Sequence, residues 1–238
     1  MLRKVLLATL LVSAVQAHAA YQCDSIPKDD ITVAPQSVAI VGSDGTMVIT
    51  PNGDITFNNK ALQPSAALRQ QAINYQAAVR KDMPWINQGA HQRLDQAKTA
   101  LDRIITEKLG AQSGIHQRLD NLNSQLKLQF ARVLSQSNGV MTYHHSAIDS
   151  VHQDSEKLVQ NAMGGVLQDS LNEMGNMKNL SSNGNPLQAL VGNLGGLQQA
   201  VQQEWKQHED DFQQFGQQVC QRVTQLETQR IALYKSAK

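Results

Sequence analysis

The spacing of the apolar residues changes once, at Pro64, and that switch limits the folds open to the chain. Up to Leu62, β-prone runs alternate with turn chemistry. Val38-Ala39-Ile40-Val41, Met47-Val48-Ile49-Thr50 and Ile55-Thr56-Phe57 are separated by Gly42-Ser43-Asp44-Gly45 and Pro51-Asn52-Gly53. Asp-Gly and Asn-Gly pairs accept the positive φ angles of tight hairpin turns, so this spacing predicts a small antiparallel meander within residues 20–63. Three or four such strands are marginal alone, and their apolar face requires a cover.

Beyond Pro64 the apolar residues recur every three or four positions, the period of amphipathic helices. Leu68, Ala72, Tyr75 and Val79 mark a first helix, and Pro84 either kinks it or opens a second. Ile86, Ala90, Leu94, Ala97, Leu101, Ile105 and Leu109 carry the stripe to Gly110, about 40 Å from Pro84 at helical rise. Ile115, Leu119, Leu122, Leu126, Phe130 and Val133 carry the next. After Ser135-Gln136-Ser137-Asn138-Gly139 a further helix is expected from Met141 toward Gly175. Ser181-Ser182-Asn183-Gly184 breaks it, and Asn185-Pro186 opens a final helix toward Tyr234. Val201, Trp205, His208, Phe212, Phe215, Val219 and Leu226 give that helix the seam of a helical bundle or coiled coil. The expected fold class is α+β: the meander packs on an elongated bundle of four to five long amphipathic helices spanning 64–238. Residues 20–238 then form one structural unit.

The first nineteen residues read as a secretory signal peptide, since Arg3 and Lys4 precede an apolar stretch at 5–15 and Ala17-His18-Ala19 suits cleavage after Ala19. The expected location is the periplasm. The lipoprotein alternative needs a cysteine directly after the cleavage motif, whereas Cys23 follows Tyr21-Gln22. Of the 238 residues, 21 are basic and 20 acidic; losing Arg3 and Lys4 leaves 19 against 20, a net charge of −1. So small a charge weighs against nucleic-acid binding, and 41% hydrophobic residues weigh against disorder. No membrane-spanning segment is expected in the mature chain, because Asp169, Glu173 and Lys178 divide its most apolar region. The two cysteines, Cys23 and Cys220, predict a disulfide in an exported chain, with unpaired thiols or an intermolecular bridge as alternatives. An intrachain bridge would tie the start of the mature chain to the last helix, constraining the unfolded state by at most about 5 kcal/mol.

Gly89-Ala90-His91-Gln92-Arg93-Leu94-Asp95 returns 25 residues later as Gly114-Ile115-His116-Gln117-Arg118-Leu119-Asp120. Two equivalent histidine sites are one reading; the favoured one is a repeated coiled-coil stretch in which each His and Asp form a surface pair four residues apart. Candidate metal ligands are His145, Asp149 and His152, with Glu156 completing one helical stripe and Tyr143 and His144 beside it. Such a set could hold Zn or Cu, although the same spacing describes an ordinary solvated flank. His208-Glu209-Asp210-Asp211, with Glu204 one turn earlier, offers an acid–base pair or cation site, against an interface role for His208 beside Trp205 and Phe212. G-x-S-x-G, Walker and dinucleotide-binding patterns are absent, so no catalytic residue and no cofactor is nominated. Gly164-Gly165, Gly192, Gly195 and Gly196 are costly inside helices and suggest close packing or hinges, ahead of a membrane-surface or partner-binding hairpin that opens. Glutamine, at 31 residues, solvates helix faces without adding charge.

Several runs resemble the YggN-like family of exported bacterial proteins: Tyr21-Gln22-Cys23, Val33-Ala34-Pro35-Gln36-Ser37-Val38, Val48-Ile49-Thr50-Pro51-Asn52-Gly53, Ala162-Met163-Gly164-Gly165-Val166-Leu167-Gln168-Asp169-Ser170, Gly184-Asn185-Pro186-Leu187-Gln188 and Asp211-Phe212-Gln213-Gln214-Phe215-Gly216. The resemblance covers nearly the whole mature chain. It implies a Gram-negative periplasmic protein and transfers no catalytic or binding residue. The residues themselves lead to the expectation of a non-enzymatic interaction or scaffold protein of the cell envelope, with chaperone-like holding as a subclass. Its partner would be an envelope protein or a second copy of the chain. The alternatives are a metal-binding protein or metallohydrolase, and a peripheral membrane-surface binder.

Overall fold

The computed structural model describes Cys23 and residues 26–176 and 186–237; the expected signal peptide and the break at 181–184 lie outside the described residues. In chain order the elements are β1 (Asp30–Ala34), β2 (Ser37–Gly42), β3 (Gly45–Ile49), β4 (Ile55–Phe57), β5 (Lys60–Ala61), α1 (Ala66–Leu109), α2 (Ile115–Val133), β6 (Leu134–Ser137) and β7 (Val140–Tyr143). A single 3-10 turn (His145–Ala147), α3 (Ile148–Asn176) and α4 (Pro186–Ala237) follow. The fold is α+β.

All strand pairs are antiparallel, in the order β5-β4-β3-β2-β1-β7-β6. Alternation along the strands sends one set of side chains to a common face. Val33 lies opposite Val38 and Met141, Ile40 opposite Ile31 and Met47, and Ile49 opposite Val38 and Ile55; each is buried. The segment at 140–143 corrects the expectation of a helix from Met141: it is a strand, and the following α-helix begins at Ile148. Asn138 and Gly139 adopt φ angles of 51° and 76°, the conformation a two-residue hairpin turn requires. That turn lets Leu134 and Met141 reach the core while β7 pairs with the open side of β1.

The cover comes from the two longest helices. Ser65 caps α1 by accepting a hydrogen bond from the Leu68 amide at 3.2 Å. Leu68, Ala72, Tyr75, Val79 and Met83 then pack on the sheet. Leu226, Leu233 and Tyr234 of α4 complete this core. Pro84 lies within α1, a helix of 44 residues, so the stripe beginning at Leu68 and the one ending at Leu109 belong to one element about 66 Å long. The far end of that helix holds a second core of Ile104, Ile105, Leu109, Ile115, Leu119, Val166 and Leu197.

Between the cores, α1 and α4 are joined by aromatic and ionic contacts. Trp85 and Phe215 lie 5.2 Å apart between centroids. The Arg93 guanidinium sits 4.0 Å over Phe215, and that of Arg222 lies 4.0 Å over Trp85 while also pairing with Asp82. Near the sheet, Arg230 bridges Asp29 at 2.5 Å and Glu227 at 2.7 Å, and all three side chains are largely buried. The Tyr234 hydroxyl, itself partly buried, has its pKa pushed up to about 12 by desolvation and by the nearby Asp29 carboxylate. Cys23 and Cys220 form a disulfide that joins positions 197 residues apart, with Cα atoms 5.5 Å from each other. Among the described residues no helix is long and apolar enough to cross a membrane.

Candidate functional site

The 25-residue repeat acquires a geometry that its sequence alone does not supply. Four residues separate glycine from arginine in each copy, and each such pair faces another pair, also four apart, on a neighbouring helix. In α1, Arg93 Nη2 donates to Asp211 of α4 at 2.8 Å, and a side chain at Gly89 would strike Phe215. In α2, Arg118 donates through Nε and Nη2 to Asp169 of α3 at 2.9 and 2.6 Å, and the Gly114 amide donates to Glu173 at 2.7 Å. Both crossings are antiparallel. The small residue admits the neighbouring side chain, and the arginine locks the register one turn on. Gly165 belongs to the second crossing, because a Cβ there would lie 2.2 Å from the Arg118 guanidinium. Close packing therefore accounts for Gly165, whereas Gly164 and Gly196 have open space beside them.

The expected surface pairs within each repeat give way to contacts between α1 and α2. His116 Nδ1 lies 2.8 Å from Asp102 and Lys98 reaches Asp120 at 2.8 Å, while Lys98 also meets Asp102, four residues on along α1, at 2.5 Å. Asp95 accepts from Lys127 at 2.5 Å and from Asn123 at 2.9 Å. His91 meets the Phe130 ring edge-on at 5.7 Å. Antiparallel docking of the two helices places these residues opposite one another, which outweighs a pairing along one exposed face. Burial would raise the Asp102 pKa, but the hydrogen bonds from Lys98 and His116 hold it below the usual carboxylate range. Asp95 is lowered as well, chiefly by its hydrogen bonds from Lys127 and Asn123.

Each repeat also lines a groove. The larger, about 1050 Å³, runs along α1 past Gln88, Gln92, Gln96 and Thr99 to Arg103 and is bounded on α4 by Glu204 and Asp211. Arg103 pairs with Glu204 at 2.7 Å at its far end. The second, about 480 Å³, lies between α2 and α3, where Gln117, Asn121 and Gln125 face Leu158, Asn161 and Ala162, with Arg118 and Asp169 beside them. Gln92 and Gln96 of the first groove occupy the same repeat positions as Gln117 and Asn121 of the second. The chemistry on offer is amide hydrogen bonding beside arginine–carboxylate pairs that are already neutralised.

The candidate metal stripe is divided between elements. His145 lies in the 3-10 turn and not on the helix of Asp149 and His152; its Nδ1 is 2.6 Å from Asp30 of β1. The strand at Val140–Tyr143 displaces the helix start and so turns His145 away from the stripe. His152 faces Glu156 at 3.4 Å. Among the described residues, no group of three or more His, Cys, Asp or Glu side chains is arranged to hold a metal ion. Desolvation acts to raise Asp30, yet its hydrogen bonds with His145 leave its pKa lowered. The side chains of Trp205, His208 and Glu209 lie outside the described residues. Asp211 and Glu204 join ion pairs with α1, a role that spacing along α4 alone did not signal.

A sheet clamped between the start of one long helix and the end of another, with paired grooves on the helical shaft, defines an α+β protein held by a single disulfide. The chain belongs to the family described as "Protein of unknown function (DUF2884)", which it matches over residues 23–238. It is 48% identical over 239 residues to "Uncharacterized protein YggN" of Escherichia coli strain K12, covering 100% of both chains, and the same figures hold for the relative in Escherichia coli O157:H7. No solved structure matches the chain.

Proposed function

We propose that this chain is a non-enzymatic interaction or scaffold protein, exported to the periplasm, that holds a partner polypeptide along its helical shaft in a chaperone-like manner. The observation that carries this reading is the long open groove on α1, whose Gln88, Gln92 and Gln96 side chains are exposed and whose charged neighbours are paired across to α4. An open channel suits holding a chain better than enclosing a small reactant, for which pockets that bury most of the ligand are usual. The Cys23–Cys220 disulfide favours an oxidising compartment and so supports export.

Photo-crosslinking from position 92 in living cells tests the proposal. Recurrent adducts with one or a few envelope proteins are expected. If the chain is recovered only as an unmodified monomer, the interaction reading fails.

A further inference from the structure

The repeat offers a narrower conclusion about what the shaft holds, and this inference rests on the interaction reading above. We propose that the shaft carries two sites for an extended, uncharged stretch of polypeptide, one on the Gln88–Gln92–Gln96 ladder and one on the Gln117–Asn121–Gln125 ladder, which share the repeat positions of Gln92/Gln117 and Gln96/Asn121 and extend from them in opposite directions. Each ladder advances four residues per rung, about 6.0 Å at helical rise. An extended chain repeats every two residues, about 6.6 Å. Over two steps the axial mismatch is roughly 1.2 Å, and each rung also turns about 40° around the helix, a sideways drift that the flexible glutamine side chains must span.

The chemistry points the same way. A carboxamide offers a donor and an acceptor, as a peptide group does, so each rung can pair with alternate backbone units whatever their side chains. All six ladder residues are exposed, and none has its carboxamide hydrogen-bonded by another described residue. The charges along both grooves are paired: Arg103 with Glu204, Arg93 with Asp211, Asp95 with Lys127, and Arg118 with Asp169. Among the described residues, little unpaired charge is left to draw in an anionic polymer. Among the described residues, Phe, Tyr and Trp are absent from both linings. The larger groove extends from Asn87 to Arg103, about 24 Å of helix, which accommodates an extended segment of about seven residues.

The test uses the disulfide-bonded mature chain and a fluorescent, unstructured, uncharged ten-residue peptide, followed by anisotropy. Two sites per chain are expected, with little dependence of binding on salt. The triple variant Q88A/Q92A/Q96A should remove one site, Q117A/N121A/Q125A the other, and the combined variant both. Q71A, at an exposed glutamine outside the grooves, should change nothing. Alanine is a good helix former, so circular dichroism and melting should stay as in the parent. Binding that survives the combined variant overturns the proposal, as does a site count unaffected by the α2 ladder, a steep salt dependence, or exclusive binding of a neutral oligosaccharide. Crosslinked partners at position 92 combined with any of these results would leave the broader interaction reading standing and remove only the ladders.

Discussion

The two ends of the α1–α4 shaft hold apolar cores of different construction. Near the sheet, among the described residues, 17 buried hydrophobics come from six strands and two helices. At the far end seven come from helices alone. The first core is walled on one side by a hydrogen-bonded sheet that cannot close around a lost side chain. The second lies between helices alone, whose backbones are not hydrogen-bonded to one another as strands are. Charged groups divide in the same way, because the Arg230–Asp29 pair is nearly sealed whereas Arg118 and Asp169 keep about a third of their side-chain area in solvent. The sheet end should therefore respond to mutation as a rigid interior, and the distal end as a compliant one.

The largest expected effect comes from the ion pairs. Arg230→Met leaves Asp29 and Glu227 buried without a cation and should cost about 3–5 kcal/mol in urea denaturation, whereas Arg118→Met should cost less than about 1 kcal/mol. Comparable losses would break the distinction. Next come two fully buried isoleucines. Ile40→Ala should cost about 4 kcal/mol and Ile115→Ala about 2 kcal/mol, since the cost of a cavity depends on how far its surroundings collapse. A larger loss at Ile115, read by the same denaturation, would show that the distal helices are the stiffer wall.

The smallest effect is that of pH on the α1–α2 contact. Asp102 has a lowered folded pKa, so its ion pairs stabilise the protein fully above the unfolded carboxylate value near 4 and lose that contribution as pH falls through the folded value. NMR shifts of residues 110–115 should report loosening below about pH 4 in the parent. The D102N variant should be less stable at neutral pH and should lack that acid step. An unchanged step in D102N would assign it to another carboxylate.

The meander and its cover were legible because short strands bounded by Asp-Gly and Asn-Gly turns carry their own period. Leu68, Ala72, Tyr75 and Val79 announce a buried helical face without reference to anything distant, and all four are buried. The β6–β7 hairpin was harder to read. It has four residues per strand between long helices, and sequence spacing alone assigns Asn138-Gly139 to a helix-linking loop despite the β-prone Val140-Met141-Thr142-Tyr143 beyond it. His145 was misplaced as a result. The repeat was visible at once, but the work of its arginines was not, because Asp211 and Asp169 lie 118 and 51 residues away and only the helix packing brings them within reach.

The strand at Val140–Tyr143 also sets an order of events. Thr32 touches Thr142 across 110 residues, Tyr234 reaches the Gly45 carbonyl across 189, and Arg230 reaches Asp29 across 201. The α1–α2 hairpin needs only neighbours in sequence. Contacts between distant parts of a chain form slowly, because each must first overcome the entropy of closing a long loop. A chain emerging from its N-terminus thus presents its meander first but completes it last. Until residues 140–143 and then 226–234 arrive, β1 has a bare edge and the sheet an apolar face that α1 alone covers only in part, so the most rigid part of the finished molecule is its most vulnerable part during synthesis.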